Sequence, residues 1–287
     1  MRREYYSILL ASTLLFASGC AIEAQVPYGE DVSIEEVSKV ARGEPFTYED
    51  YETVLSAYVT EDGLVDYASL KANREILDRF HADLAALPKE VYEGWTESEK
   101  IAFWVNIYNS LTLQAIIDNY PVDSIRDIPG VWKRLQFTVM GEGMTLDTIE
   151  HGILRREFNE PRIHMALVCA SIGCPLLRTE PFTGDRLDEQ LDEQTRVFLG
   201  FDRNFQIDLD RNEVLLSSIF QWFGEDFEAT YGTSDKFEGH NDKARAVLNF
   251  VSQYVNDDDL SYLKQVEYRL KYLDYDWGLN ALTHRQS

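Results

Sequence analysis

Cysteine, basic residues and long apolar runs are all scarce in this chain, and each scarcity excludes something. There are 27 Lys and Arg against 50 Asp and Glu, for a formal charge of −23. A phosphate backbone is repelled by such a surface, and no Lys/Arg cluster offers a footprint, so nucleic acid is not an expected partner. The apolar segment near the amino terminus, Ile8–Ala17, has ten residues and is too short to cross a bilayer as a mature helix. Close ligand pairs such as CxxC or HExxH do not occur, so no metal site is expected from the spacing His164-x4-Cys169-x4-Cys174. There is no internal repeat and no low-complexity run, and no cofactor is expected.

What is present is enough for a substantial core: 45% apolar and 13% aromatic residues over 287 positions, a length that allows one large domain or two small ones. The first residues read as processing signal. Arg2 and Arg3 precede the apolar segment, and Ala17-Ser18-Gly19 leads into Cys20. The arrangement resembles a bacterial lipoprotein leader over residues 1–19, with Cys20 as the lipidation site; the alternative is an ordinary cleaved secretory signal. Ala21 follows where an aspartate is associated with inner-membrane retention. The resemblance therefore implies a membrane partner through a lipid anchor on Cys20, and an outer-membrane location facing an oxidising periplasm. Residues 20–45 read as an acidic tether with one short helix around Ile34–Ala41. Residues 46–287 read as a single globular domain.

Along that domain, Tyr51–Tyr58 and Asn73–Leu87 have helical spacing, and Pro88 ends the second. Thr96-Glu-Ser-Glu99 matches a capping box. The following Ile101–Ile117 is apolar on nearly every face, which places that helix in the middle of the protein. Asn106 and Asn109 lie on it and need partners, because an unsatisfied buried amide costs about 1–3 kcal/mol. Gln136–Met140 reads as a strand turning at Gly141–Gly143. Asp147-Thr-Ile-Glu150 reads as a second capping box opening a short helix with His151. Ile163–Val168 alternates like a strand and runs into a turn with Cys169 and Cys174. A helix at Arg186–Leu199, a hairpin across Asp210–Asn212, helices at Ser218–Phe227 and Ala244–Val255, and a strand within Glu267–Tyr275 complete the chain. The expected class is α+β: a single helix-rich domain with a small, mostly antiparallel sheet.

The thiols invite two readings. In an oxidising compartment Cys169 and Cys174, with four residues between them, can close a disulfide. Alternatively Cys169, at the end of a strand, is a nucleophile whose charge is supported by turn amides such as that of Ala170. A nucleophile needs a base. Strand parity sets His164 and Cys169 on opposite faces, about 16 Å apart along an extended chain, so His164 reads as a packed histidine. His151, on a separate helix, is freer to reach the turn, although it also reads as an ordinary helix-start histidine. Glu150 either orients it or caps its own helix.

Five stretches now group together: Phe103–Asn109, Thr148–Arg155, Ala166–Pro175, Leu216–Phe227 and Tyr275–Asn280. In this order they resemble the successive motifs of domain-of-unknown-function family 547. The resemblance runs from about Tyr51 to Asn280. It implies a Cys-His-Glu arrangement similar to papain-like or transglutaminase-like thiol enzymes, falling on Cys169, His151 and Glu150. Plant members carry serine where Cys174 stands, which points to Cys169 as the working thiol. Asn106 and Asn109 belong to the first motif and are expected to hold the catalytic turn or a substrate carbonyl. Asp276 and Asn280, in the last motif, and Arg178 are candidate binding residues. The resulting expectation is a thiol-dependent hydrolase or acyltransferase of the cell envelope. It would act on an amide, isopeptide or γ-glutamyl-type carbonyl of a small molecule or peptide. The alternative is a non-catalytic lipoprotein binding module locked by a Cys169–Cys174 disulfide.

Overall fold

The capping box at Thr96 is formed: Thr96 Oγ1 accepts from the Glu99 amide at 3.3 Å, and Glu99 Oε2 accepts from the Thr96 amide at 2.7 Å. In the computed structural model, which describes residues 37–265 and 267–282, the helix it opens runs Glu97–Asn119, and every residue from Ile101 to Ile117 is buried. An element apolar on all faces can satisfy the hydrophobic effect only by being surrounded. Around it pack the helices Glu49–Tyr58, Tyr67–Ala72 and Glu75–Ala86, which bring aromatic residues such as Tyr51, Tyr67 and Phe80 into the same core. The expected leader, Cys20 and the tether as far as residue 36 lie outside the described residues, as does the start of the short helix expected at Ile34–Ala41. Ser38 Oγ donates to Asp83 at 2.7 Å, so contact with the folded body begins before Phe46.

Two small sheets complete the α+β fold. Strands β1 (Phe137–Val139) and β2 (Glu142–Met144) form an antiparallel hairpin. Its turn residues Met140 and Gly141 both have positive φ, 50° and 75°, as a two-residue type I′ turn requires. Strands β3 (Phe205–Asp208), β4 (Glu213–Ser217) and β5 (Arg269–Leu273) lie in that order. The β3–β4 pair is the expected antiparallel hairpin. The β4–β5 pair is parallel, because the chain returns through a crossover containing the helices Ser218–Phe223 and Asp242–Val251. This sheet and the second of those helices share a core of their own, which includes Phe198, Phe220, Phe227 and Phe250.

Two local expectations are corrected. Ile163–Val168 is not a strand: Pro161–Met165 forms a 3-10 helix, started by Glu160, whose side chain accepts from the Arg162 amide at 3.0 Å. Residues 163–168 are all buried, so their alternation does not separate a core face from a solvent face, and period two carries no information there. Asp147 does not cap its helix either, having helical angles and no side-chain cap bond. Thr145 takes that place, its Oγ1 accepting from the Thr148 amide at 3.1 Å. The turns that follow, Thr148–Leu154, are π-helical, a geometry found frequently at functional sites.

Candidate functional site

The central helix builds the site through its two asparagines. Asn109 grips the segment leading into the cysteine turn: Nδ2 donates to the Ala166 carbonyl at 3.0 Å, and Oδ1 accepts from the Val168 amide at 2.8 Å. Asn106 makes the same two-ended contact with Phe182, at 2.7 and 2.9 Å. Both are buried and each amide uses both its ends on backbone, so they position chain segments that a helix ladder cannot reach.

The last motif pins the other side of the turn. The Ile172 and Gly173 amides donate to the Gly278 and Asp276 carbonyls, and the Asn280 amide donates to the Ala170 carbonyl. A side chain at Gly173 would meet the Tyr275 ring at 2.9 Å, so only glycine lets that ring pack over the turn. Ala170, directly after Cys169, is held at φ 58°, a left-handed conformation that costs an alanine roughly 1–2 kcal/mol. Asn280 closes the chain on itself, accepting from the Tyr67 hydroxyl at 2.7 Å and donating to the Gly63 carbonyl at 3.2 Å. Asp276 accepts from the Gly278 amide within its own turn. Arg178 is paired with Glu180 and Glu193. These three candidate binding residues are thus placed in structural contacts.

Both cysteines are free thiols, Cys169 partly exposed and Cys174 buried. The Cys169 amide donates to Cys174 Sγ at 2.9 Å, and the Tyr275 hydroxyl lies 3.2 Å from Cys169 Sγ and 2.9 Å from Cys174 Sγ. The pair is electrically asymmetric. A hydrogen bond from Cys174 outweighs burial and, with help from Tyr275 and Ser171, lowers the Cys169 pKa against the opposing charge of Glu150. Burial, reinforced by Cys169, pushes Cys174 well up. Tyr275 is held as a neutral phenol, chiefly by burial, so it keeps a proton to donate. Neutral donors around one partly exposed sulfur favour the thiolate at Cys169.

Cys169 opens into a cleft of about 320 Å³ that is also lined by Glu150, His151 and His164. Its wall is aromatic. Tyr275 and Trp277 have centroids 4.5 Å apart, Trp222 lies 5.0 Å from Tyr275, and Trp132 lies 6.1 Å from Trp277. Glu150 interacts with the Tyr108 hydroxyl, which burial and that carboxylate keep protonated. The His151 ring instead meets Arg155 and Asp147, Nδ1 lying 2.7 Å from the Arg155 guanidinium and Nε2 3.9 Å from Asp147. Because a guanidinium only donates, Nδ1 of His151 is the acceptor and its proton sits on Nε2.

His164, set aside on strand parity, lines the same cleft. It is buried, stacked on Phe223 at 4.3 Å, and its Nε2 lies 2.7 Å from Asp226 Oδ2. Arg155 grips the same carboxylate at 2.6 and 2.9 Å. Burial works to raise the Asp226 pKa, but His164 and Arg155 override it and bring the carboxyl well below the usual range. Asp226 and Phe223 fall within the fourth quoted motif and Tyr275 and Trp277 within the fifth, so those stretches were the available signal for them. Among the described residues, no three His, Cys, Asp or Glu side chains converge as a metal site.

The fold and site together define an α+β protein with a tuned thiol at the floor of an aromatic cleft. Residues 92–199 match the model of the family described as a protein of unknown function, DUF547, which supports the family resemblance drawn from the motifs. The matched stretch takes in Asn106, Asn109, Glu150, His151, His164 and both cysteines, and ends before Asp226 and Tyr275. No curated protein and no solved structure matches the chain.

Proposed function

We propose that the protein is a thiol-dependent hydrolase or acyltransferase in which Cys169 attacks an amide, isopeptide or γ-glutamyl-type carbonyl. One observation carries this reading: a partly exposed sulfur, with the Tyr275 hydroxyl at 3.2 Å, shares a cleft with two histidines. In the proposed reaction the Cys169 sulfur forms a bond to the carbonyl carbon, its thiol proton passing to an imidazole. Collapse of the tetrahedral species breaks the carbon–nitrogen bond, and the imidazolium returns that proton to the leaving amine. Water or an acceptor amine then cleaves the thioester.

His151 was the expected base, with Glu150 to orient it. Their contacts favour a different assignment. The lone pair of His151 at Nδ1 is occupied by Arg155, whereas His164 has its Nε2 on the Asp226 carboxylate and lines the same cleft as Cys169. His164 with Asp226 is the base–orienter pair we favour, and His151, with its proton on Nε2, suits donation to the developing oxyanion. Attachment through a lipid on Cys20 at the outer membrane, facing the periplasm, is part of the same proposal.

The test is the pH dependence of iodoacetamide labelling and of acyl-enzyme formation with a thioester probe. Both would be compared in the native chain and in Cys169→Ser, Cys174→Ser, His151→Ala and His164→Ala. Labelling is expected near neutral pH and lost in Cys169→Ser, with acyl-enzyme turnover reduced most by His164→Ala. Equal labelling of both cysteines, or a fully oxidised Cys169–Cys174 pair in the purified protein, would overturn the nucleophile and favour a disulfide-locked binding module.

A further inference from the structure

Most half-buried arginines in this acidic chain are held by carboxylates: Arg74 by Asp78, Arg155 by Asp226, Arg162 by Glu160 and Arg178 by Glu180. Two are not: Arg245, which donates to the Lys236 carbonyl instead, and Arg203. Among the described residues Arg203 has no ion-pair partner, only the more distant charge of Asp276, and its Nε, like that of Arg178, is buried without a hydrogen-bond partner. Its guanidinium carbon sits 4.0 Å from the centroid of the Phe201 ring, which fixes the plane of the fork. Burial opposes its charge, and only the more distant Asp276 supports it. A guanidinium taken partly out of water with an unused donor is costly, and such a group in a native fold calls for an unseen partner.

The buried Nε is out of reach of any occupant, but the terminal nitrogens, which carry no hydrogen bond within the described protein, are not buried in this way. Arg203 lines a cavity of about 240 Å³ bounded by Phe201, Asn280 and the turn residues Ser171, Cys174 and Leu176. The volume is far above the roughly 10–15 Å³ that admits one water. Arg203 is the one basic group among the residues lining it and Asp62 the one acid, so a dianion finds too little positive charge and a monoanion is favoured. A planar fork stacked on a ring matches a carboxylate bidentately.

We infer that the cavity at Arg203 is a binding site for a small monocarboxylate, either a free acid or the carboxyl end of a peptide. Cys174 lines both this cavity and the cleft, so the occupant rests against the turn that carries Cys169. The site does not depend on thiol chemistry.

The experiment is a calorimetric titration of the full chain with N-acetylglycine, with N-acetylglycinamide as the uncharged control. The acid is expected to bind and the amide to bind at least about tenfold more weakly, as loss of a charged hydrogen-bonded pair implies. Arg203→Met should lose acid binding by a similar factor, Arg203→Lys should retain part of it, and Cys169→Ser should bind like the native chain. A tripeptide acid binding more tightly than N-acetylglycine identifies the peptide source, and equal binding identifies the free acid. Should Arg203→Met not fold, protection of Arg203 in the native chain from phenylglyoxal by the acid gives the same answer by mass spectrometry. Indistinguishable acid and amide, acid binding untouched by Arg203→Met, tighter binding of inorganic phosphate, or no protection of Arg203 would each overturn the assignment.

Discussion

Replacing Tyr275 by Phe isolates one contribution to the thiol's charge. The hydroxyl lies 3.2 Å from Cys169 Sγ and 2.9 Å from Cys174 Sγ, and burial keeps it protonated. The ring itself packs on Trp277 at 4.5 Å and Trp222 at 5.0 Å, contacts that Phe preserves, so the fold should be little affected. A hydrogen bond to a charged group contributes about 1.5–3 kcal/mol. Tyr275 has one proton for the two sulfurs, so losing it should destabilise the Cys169 thiolate by up to about that amount and raise its pKa.

The sign follows from which form is stabilised. Tyr275 donates to the thiolate, so its removal disfavours the charged form and moves the labelling midpoint to higher pH. The assay is the rate of iodoacetamide reaction at Cys169 between pH 5 and 10, with a thermal melt to show that the variant is folded. An unchanged or lowered midpoint in a folded Tyr275→Phe protein would refute the reasoning. It would leave Cys174, the largest influence on the Cys169 thiol, and Ser171 as the groups that lower its pKa.

Asn109→Ala removes two buried hydrogen bonds to the segment entering the cysteine turn; it should cost about 2–4 kcal/mol in a denaturant melt and make Cys174 as easily labelled as Cys169. His81 is buried, and burial together with Arg74 lowers its pKa to about 3 against the opposing effect of the Ser110 backbone. The unfolded chain takes up that proton below about 6.5 while the folded one does not, so stability is lost as pH falls from there towards 3, by no more than about 5 kcal/mol; His81→Leu should flatten that part of the stability–pH curve. Asp226, its pKa depressed by His164 and Arg155 in spite of burial, contributes stability above its unfolded value near 4 that disappears as pH falls further. Asp226→Asn should therefore show a shallower acid transition, and a slope equal to that of the native chain would count against the pairing.

What could be read from the sequence was whatever is encoded locally. The Thr96 capping box, the apolar run from Ile101 to Ile117 and the β3–β4 hairpin each depend on residues within a few positions of one another, and all three form. The two asparagines were legible as residues needing partners. Their partners, at Phe182 and at Ala166 and Val168, were not, because the contacts span 57 to 76 residues. The strand expected at Ile163–Val168 failed for another reason. A segment buried on all sides has no polar face to reveal its period, so the alternation of Ile163–Val168 carried no signal, and the parity argument built on it falls away. Asp226 and Tyr275 lie 62 and 106 residues from the groups they bond. A polar side chain that meets its partner at such separation leaves no periodic trace. Such contacts become legible only as motif fragments whose spacing has no local explanation. The stretches Leu216–Phe227 and Tyr275–Asn280 are fragments of this kind. Both contribute side chains to the cleft that holds Cys169, and neither lies within the 92–199 match. The chemistry of the thiol therefore depends on parts of the chain beyond that segment. Variants at 226 and 275 test the site more directly than further substitutions around the cysteines.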